Sequence, residues 1–168
     1  AMRLPIATRG CSAIGDHNRT AQGEVMAFPD RIERTVALAR SPRGVWQART
    51  TAEGLSAWFG ERASIDLRPG GAAELTFAGG MTVDMRIERV EEPTVFAYTW
   101  RLPDLPEDDP RRTYVEFTLQ PEGEGTLLRL VETGFAQLPV DTRREPYDSH
   151  REGWTRELAE LVEHVDGA

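Results

Sequence analysis

From Ala63 to Thr133 the chain is a succession of short segments in which apolar and polar residues alternate, cut by glycine and proline. It then closes on one stretch of helical period. Alternation puts every second side chain on one face of a strand, so such a run builds an antiparallel sheet with one dry face. Met81 to Val90 shows it most clearly: Met81, Val83, Met85 and Ile87 share one face, and Thr82, Asp84, Arg86 and Glu88 the other. Phe96, Tyr98 and Trp100 align in the next segment, and Val115, Phe117 and Leu119 in the one after. Ala63–Leu67, Ala72–Phe77 and Thr126–Thr133 complete the set. The turns between them include Arg68-Pro69-Gly70-Gly71, with proline and glycine at the positions a type II turn requires. From about Ser149 to Val165, residues Trp154, Leu158, Leu161, Val162 and Val165 form one apolar stripe. That stripe has to lie on the dry face of the sheet.

The segment ahead of the sheet reads as a strand, Arg31–Leu38, followed by two short helices. Ser41-Pro42 supplies a cap and a first-turn proline, and the first helix carries Val45, Trp46 and Arg49. Thr51-Ala52-Glu53-Gly54 breaks it, and a second helix carries Leu55 and Trp58 before Gly60. Residues 1–29 show no sustained period and are expected to be a flexible extension, which leaves 30–168 as one folded domain. The polar segments 103–113 and 136–147 are expected to be loops at the mouth of any cavity, where they could act as lids. Arg111, Arg112, Arg143 and Arg144 lie in them.

With 168 residues the chain is large enough to fold without a metal or disulfide staple. The net charge is −8, with no basic face, which argues against nucleic acid and anionic membrane as partners. All 20 basic residues are arginine, as expected of a GC-rich bacterial genome, so no lysine Schiff base is available. The single Cys11 cannot form an internal disulfide, and no secretory or membrane-spanning run is visible. A cytoplasmic location is expected. His17, His150 and His164 lack metal-ligand spacing, and no glycine pattern places a phosphate at a helix start, so no cofactor is implied. Asp148-Ser149-His150 holds the residue types of a hydrolytic triad, but sequence neighbours do not converge in that geometry.

The candidate site is aromatic. Phe96, Tyr98, Trp100, Phe117 and Leu130 line the expected concave face, and Trp58, Phe59, Trp154 and Leu158 would cover it. Glu132 continues the parity of Leu128 and Leu130, so its carboxylate is expected to point inward. A buried carboxylate has to be paired or hydrogen-bonded, and Tyr98, Trp100 and His150 are the partners in reach. His150 lies one turn before Trp154 on the same helix face. Glu132 is therefore expected to anchor a ligand. Glu132, Tyr98 and His150 are the weak candidates for acid–base work, and no strong catalytic motif is present.

Val45-Trp46, Trp58-Phe59-Gly60, Arg68-Pro69-Gly70-Gly71, Tyr98-Thr99-Trp100, Gly125-Thr126, Gly134-Phe135 and Gly153-Trp154 occur in this order. In this the chain resembles the homologues of the activator of the heat-shock protein 90 ATPase, within the START-like SRPBCC superfamily. The resemblance covers about 31–166. It implies an α+β helix-grip fold, in which an antiparallel sheet of six or seven strands curves round a long C-terminal helix with an apolar cavity between them. The preferred reading is a module that binds a small apolar or amphipathic ligand in that cavity. The runner-up readings are a cyclase- or aromatase-like enzyme and a ligand-free interaction domain. A homodimer is expected from the frequency of such assemblies. The eukaryotic activator joins two domains and this chain resembles only the C-terminal one, so a chaperone partner is not expected.

Overall fold

A computed structural model describes residues 29–102 and 105–167. Seven strands form one antiparallel sheet: β1 (Arg31–Leu38), β2 (Arg62–Ile65), β3 (Ala72–Thr76), β4 (Thr82–Glu91), β5 (Val95–Arg101), β6 (Arg112–Glu122) and β7 (Gly125–Thr133). Their order is β1-β7-β6-β5-β4-β3-β2. Every neighbour except the β1–β7 pair is also a neighbour in sequence, as hairpin connections dictate. Helices α1 (Pro42–Thr50) and α2 (Ala52–Trp58) follow β1, and α3 (Arg144–Asp166) closes the chain.

The expected alternation is clearest in β4, although Met81, expected on the dry face, is exposed, and β5 is buried on both faces, with Val95 and Ala97 also inside. In β4, Val83, Met85 and Ile87 are buried while Thr82, Asp84 and Arg86 are exposed. The faces of β5, β6 and β7 come into one layer through their register. Trp100 pairs with Thr113, Tyr98 with Val115 and Phe96 with Phe117. Val115 in turn pairs with Glu132, and Phe117 with Leu130. Onto this layer α3 lays Trp154, Leu158, Leu161 and Val165, all buried. Helix α1 adds Val45, Trp46 and Arg49, and α2 adds Leu55 and Trp58.

Two expectations about the loops need correction. The closing helix begins at Arg144 rather than near Ser149. Pro146 falls in its first turn, where its missing N–H costs no hydrogen bond, so a residue that looks like a loop marker belongs to the helix. The segment before it is also tied down. A 3-10 turn spans Phe135–Gln137, Phe135 and Leu138 are buried, and the Arg143 guanidinium donates to the Leu138 carbonyl (3.1 Å). Strand β6 starts two residues earlier than the alternation suggested, which shortens the preceding loop. There Arg111 is held by Asp109, whose carboxyl it lowers to about 2. The proposed extension 1–29 lies outside the described residues, apart from Pro29.

Candidate functional site

Glu132 is fully buried at the end of β7 and accepts four side-chain hydrogen bonds. Oε1 accepts from Trp100 Nε1 (2.9 Å), Thr113 Oγ1 (2.6 Å) and His150 Nδ1 (2.9 Å). Oε2 accepts from Trp154 Nε1 (2.6 Å). Register explains the first two donors, because Trp100 and Thr113 are cross-strand partners one ladder step from the Val115–Glu132 pair. The i, i+4 spacing of His150 and Trp154 explains the other two, since both lie on the inner face of α3.

Burial by itself would push this carboxyl up. The hydrogen bond and the charge of His150, followed by the hydrogen bonds from Thr113 and Trp100, outweigh it and hold the group below its ordinary value. Glu132 is thus ionised at neutral pH and can only accept. The His150 proton facing it must then sit on Nδ1, which leaves Nε2 as the free ring atom. The His150 side chain is 11% exposed, wedged edge-on between Trp100 (5.4 Å between ring centroids) and Phe135 (5.5 Å).

Outside this cluster lies a cleft of about 410 Å³ between α3, α2 and the β3–β5 part of the sheet. Phe59, Phe77, Met81, Val83, Trp100 and Trp154 form its apolar lining, and His150, Arg101, Arg156 and Glu157 its polar positions. Three rings, Trp100, Trp154 and Phe59, make the inner wall, with Trp58 stacked behind Phe59. Trp154 lies on Trp100 (5.4 Å) and on Phe59 (5.6 Å), and Phe59 lies on Trp58 (4.8 Å). Met81, 48% exposed, forms the lip. Glu157 is half-buried there, and burial raises its carboxyl above the usual range.

The ten expected ligand-binding residues therefore divide. Phe59, Trp100 and Trp154 line the cleft. Glu132 lies beneath it, with both oxygens occupied by donors. Trp58, Phe96, Tyr98, Phe117, Leu130 and Leu158 are packed in the interior behind it. Tyr98 is not a partner of Glu132: its hydroxyl makes no hydrogen bond and burial pushes its pKa well up. Neither expected lid reaches the cleft among the described residues; α3 itself supplies Ser149, His150 and Gly153. Sequence reasoning missed Thr113, although it continues the inward parity of Val115 and Phe117. It also missed Gly153 as a lining residue, since an absent side chain gives no signal.

The described residues contain no cluster of side chains able to hold a metal ion, and no helix long and apolar enough to cross a membrane.

The family model described as activator of Hsp90 ATPase homolog 1-like protein matches residues 39–166. The chain belongs to this family. No curated protein gives a significant match. Solved structures of this type share the fold. Protein MLL2253 from Mesorhizobium loti is 24% identical with a TM-score of 0.71, covering 82% of this chain and 98% of that one. The Aha1 dimer from Colwellia psychrerythraea is 20% identical with a TM-score of 0.66, covering 81% and 96%. PFC0360w, an Hsp90 activator from Plasmodium falciparum, is 21% identical with a TM-score of 0.68, covering 83% and 97%. In Hsp90-activator-homologue terms the chain is an α+β domain whose curved seven-stranded sheet holds a C-terminal helix.

Proposed function

We propose that this member of the family binds a small, mostly apolar molecule in the 410 Å³ cleft, with His150 Nε2 as its polar contact. The observation that carries this reading is the Glu132–His150 hydrogen bond beneath an aromatic wall. A carboxylate with four donors is a rigid mount. It fixes the histidine tautomer and the planes of Trp100 and Trp154, and leaves one ring nitrogen for a ligand. Glu132 is then a positioning residue, while His150, Trp100, Trp154 and Phe59 make contact. The volume lies within the ~300–1,000 Å³ usual for small-molecule sites, and an apolar lining with few polar groups is their common make-up. A homodimer belongs to this reading, supported by the Colwellia protein being a dimer.

The same dyad supports a second reading, proton transfer. A histidine whose Nδ1 is held by a carboxylate presents Nε2 as a general base. Tyr98 drops out of that scheme, since its hydroxyl is buried behind the wall and its pKa is pushed up.

Gly153 provides the test. It lines the cleft, and a Cβ added there meets nothing within 4 Å, so the side chain of Gly153→Leu starts in open space and takes up cleft volume. In a fluorescence titration with 2-naphthylacetamide, the wild type is expected to saturate. Gly153→Leu is expected to bind about tenfold weaker or worse, with a melting temperature equal or higher, because glycine is a poor helix former. Equal binding by both proteins would place the ligand elsewhere.

A further inference from the structure

Among the described residues, Arg49 is a buried cation without a counter-ion. It sits in the last turn of α1, 1% exposed, and none of its three guanidinium nitrogens has a hydrogen-bond partner among the described residues. Its plane lies over Phe117 (3.2 Å from the ring centroid) and beside Trp58 (5.0 Å). Among the described residues the polar group that acts on it is the Tyr98 hydroxyl, which favours the charged guanidinium but stands outside hydrogen-bond geometry. Burial lowers the Arg49 pKa to about 10, which leaves it charged at neutral pH. Cation–π contacts offset part of the desolvation, but they satisfy none of the N–H donors. Buried charges are otherwise paired.

The place of this cation relative to the cleft suggests what pairs it. Trp154, Phe59, Trp58 and Arg49 form one continuous stack, with separations of 5.6, 4.8 and 5.0 Å. Phe59 and Trp154 face the cleft, and Arg49 lies directly behind Trp58. On the sheet side Trp100 borders the cleft and Tyr98 stands next to it, 5.6 Å between centroids. The cleft also carries Arg101 and Arg156 against one carboxylate, Glu157, on a chain whose net charge is −8.

We propose that Arg49 and Tyr98 form an anion subsite behind the cleft, reached when Phe59 and Trp58 shift, and that the ligand is an apolar molecule ending in a carboxylate. A guanidinium fork matches the two oxygens of a carboxylate, and the tyrosine hydroxyl donates a third hydrogen bond. The aromatic stack holds the ligand body. This inference rests on the cleft being the binding site.

The test compares 2-naphthylacetate with its neutral amide, 2-naphthylacetamide, by calorimetric titration at neutral pH. The wild type is expected to bind the acid at least tenfold more tightly than the amide. Arg49→Met, similar in length and apolar, is expected to bind both equally, at the wild-type affinity for the amide. Tyr98→Phe is expected to lose part of the preference, and Arg49→Lys to restore part of what Arg49→Met removes. Amide binding by each variant shows that its fold is intact. Equal wild-type binding of acid and amide overturns the anion subsite and leaves the cleft reading standing. A preference for the acid that survives in Arg49→Met also overturns it, since the charge would then be read by Arg101 or Arg156. Failure of the wild type to bind either probe overturns the cleft reading, and this inference with it.

Discussion

Glu132 shows how much one residue can organise. Two indoles, a threonine hydroxyl and a histidine ring all terminate on its carboxylate. In Glu132→Gln one oxygen becomes an amide donor, so a donor faces a donor inside a dry interior. A loss of about 1–3 kcal/mol is expected from urea unfolding at neutral pH. The pH dependence has a definite sign. The folded carboxyl titrates below the ordinary 4.5, so the folded state binds this proton less readily than the unfolded chain. The stability it contributes is complete above that ordinary value and is lost as the pH falls through the lower, folded one. Urea midpoints of wild type and Glu132→Gln should therefore converge as the pH falls through and below that ordinary value. Parallel curves would mean that the carboxylate is not favoured in its charged form.

At the scale of elements, the joint between α1 and α2 positions the aromatic wall. Thr51 ends one helix and caps the next, its hydroxyl accepting from Gly54 N (3.0 Å). Trp58 Nε1 donates back to the Ala48 carbonyl (2.8 Å), and the indole covers Arg49 in this arrangement. The close approach needs glycine: a Cβ at Gly54 would lie 2.5 Å from the Gln47 carbonyl oxygen and 2.8 Å from Ala48 Cα. Helix propensity alone would favour Gly54→Ala by about 1 kcal/mol. Because the obstacle is backbone, a net loss of about 1–3 kcal/mol is expected instead, measured by thermal unfolding. A stabilised Gly54→Ala would show that the joint is looser than described. These elements were readable beforehand, since Ser41-Pro42, Thr51 to Gly54 and the alternating strands carry their own local signals. The start of α3 was not, because Pro146 suits a loop as well as a first helical turn, and only the packing of Tyr147 against Phe135 decides between them.

For the molecule as a whole, sequence parity was enough to aim Glu132 at the helix, and spacing was enough to put His150 and Trp154 on one face. What could not be read was their convergence on a single carboxylate, which depends on how far α3 is rotated and shifted along the sheet. Nor could parity separate core from cleft. Phe96, Phe117 and Trp100 share one face, yet only Trp100 reaches the cleft. Arg49 was visible as a polar residue on an apolar helix face, but its isolation from the carboxylates of the described residues is a three-dimensional fact. The central claim is that the cleft above the Glu132 cluster holds a ligand, and the tryptophan indole N–H signals test it most directly. Trp100 and Trp154 donate to Glu132 and border the cleft, whereas Trp46 packs against Phe96 away from it. In a nitrogen–proton correlation spectrum titrated with 2-naphthylacetamide, the Trp100 and Trp154 indole signals should move together and saturate while Trp46 stays in place. Stationary Trp100 and Trp154 signals, or all four moving without saturation, would contradict the account.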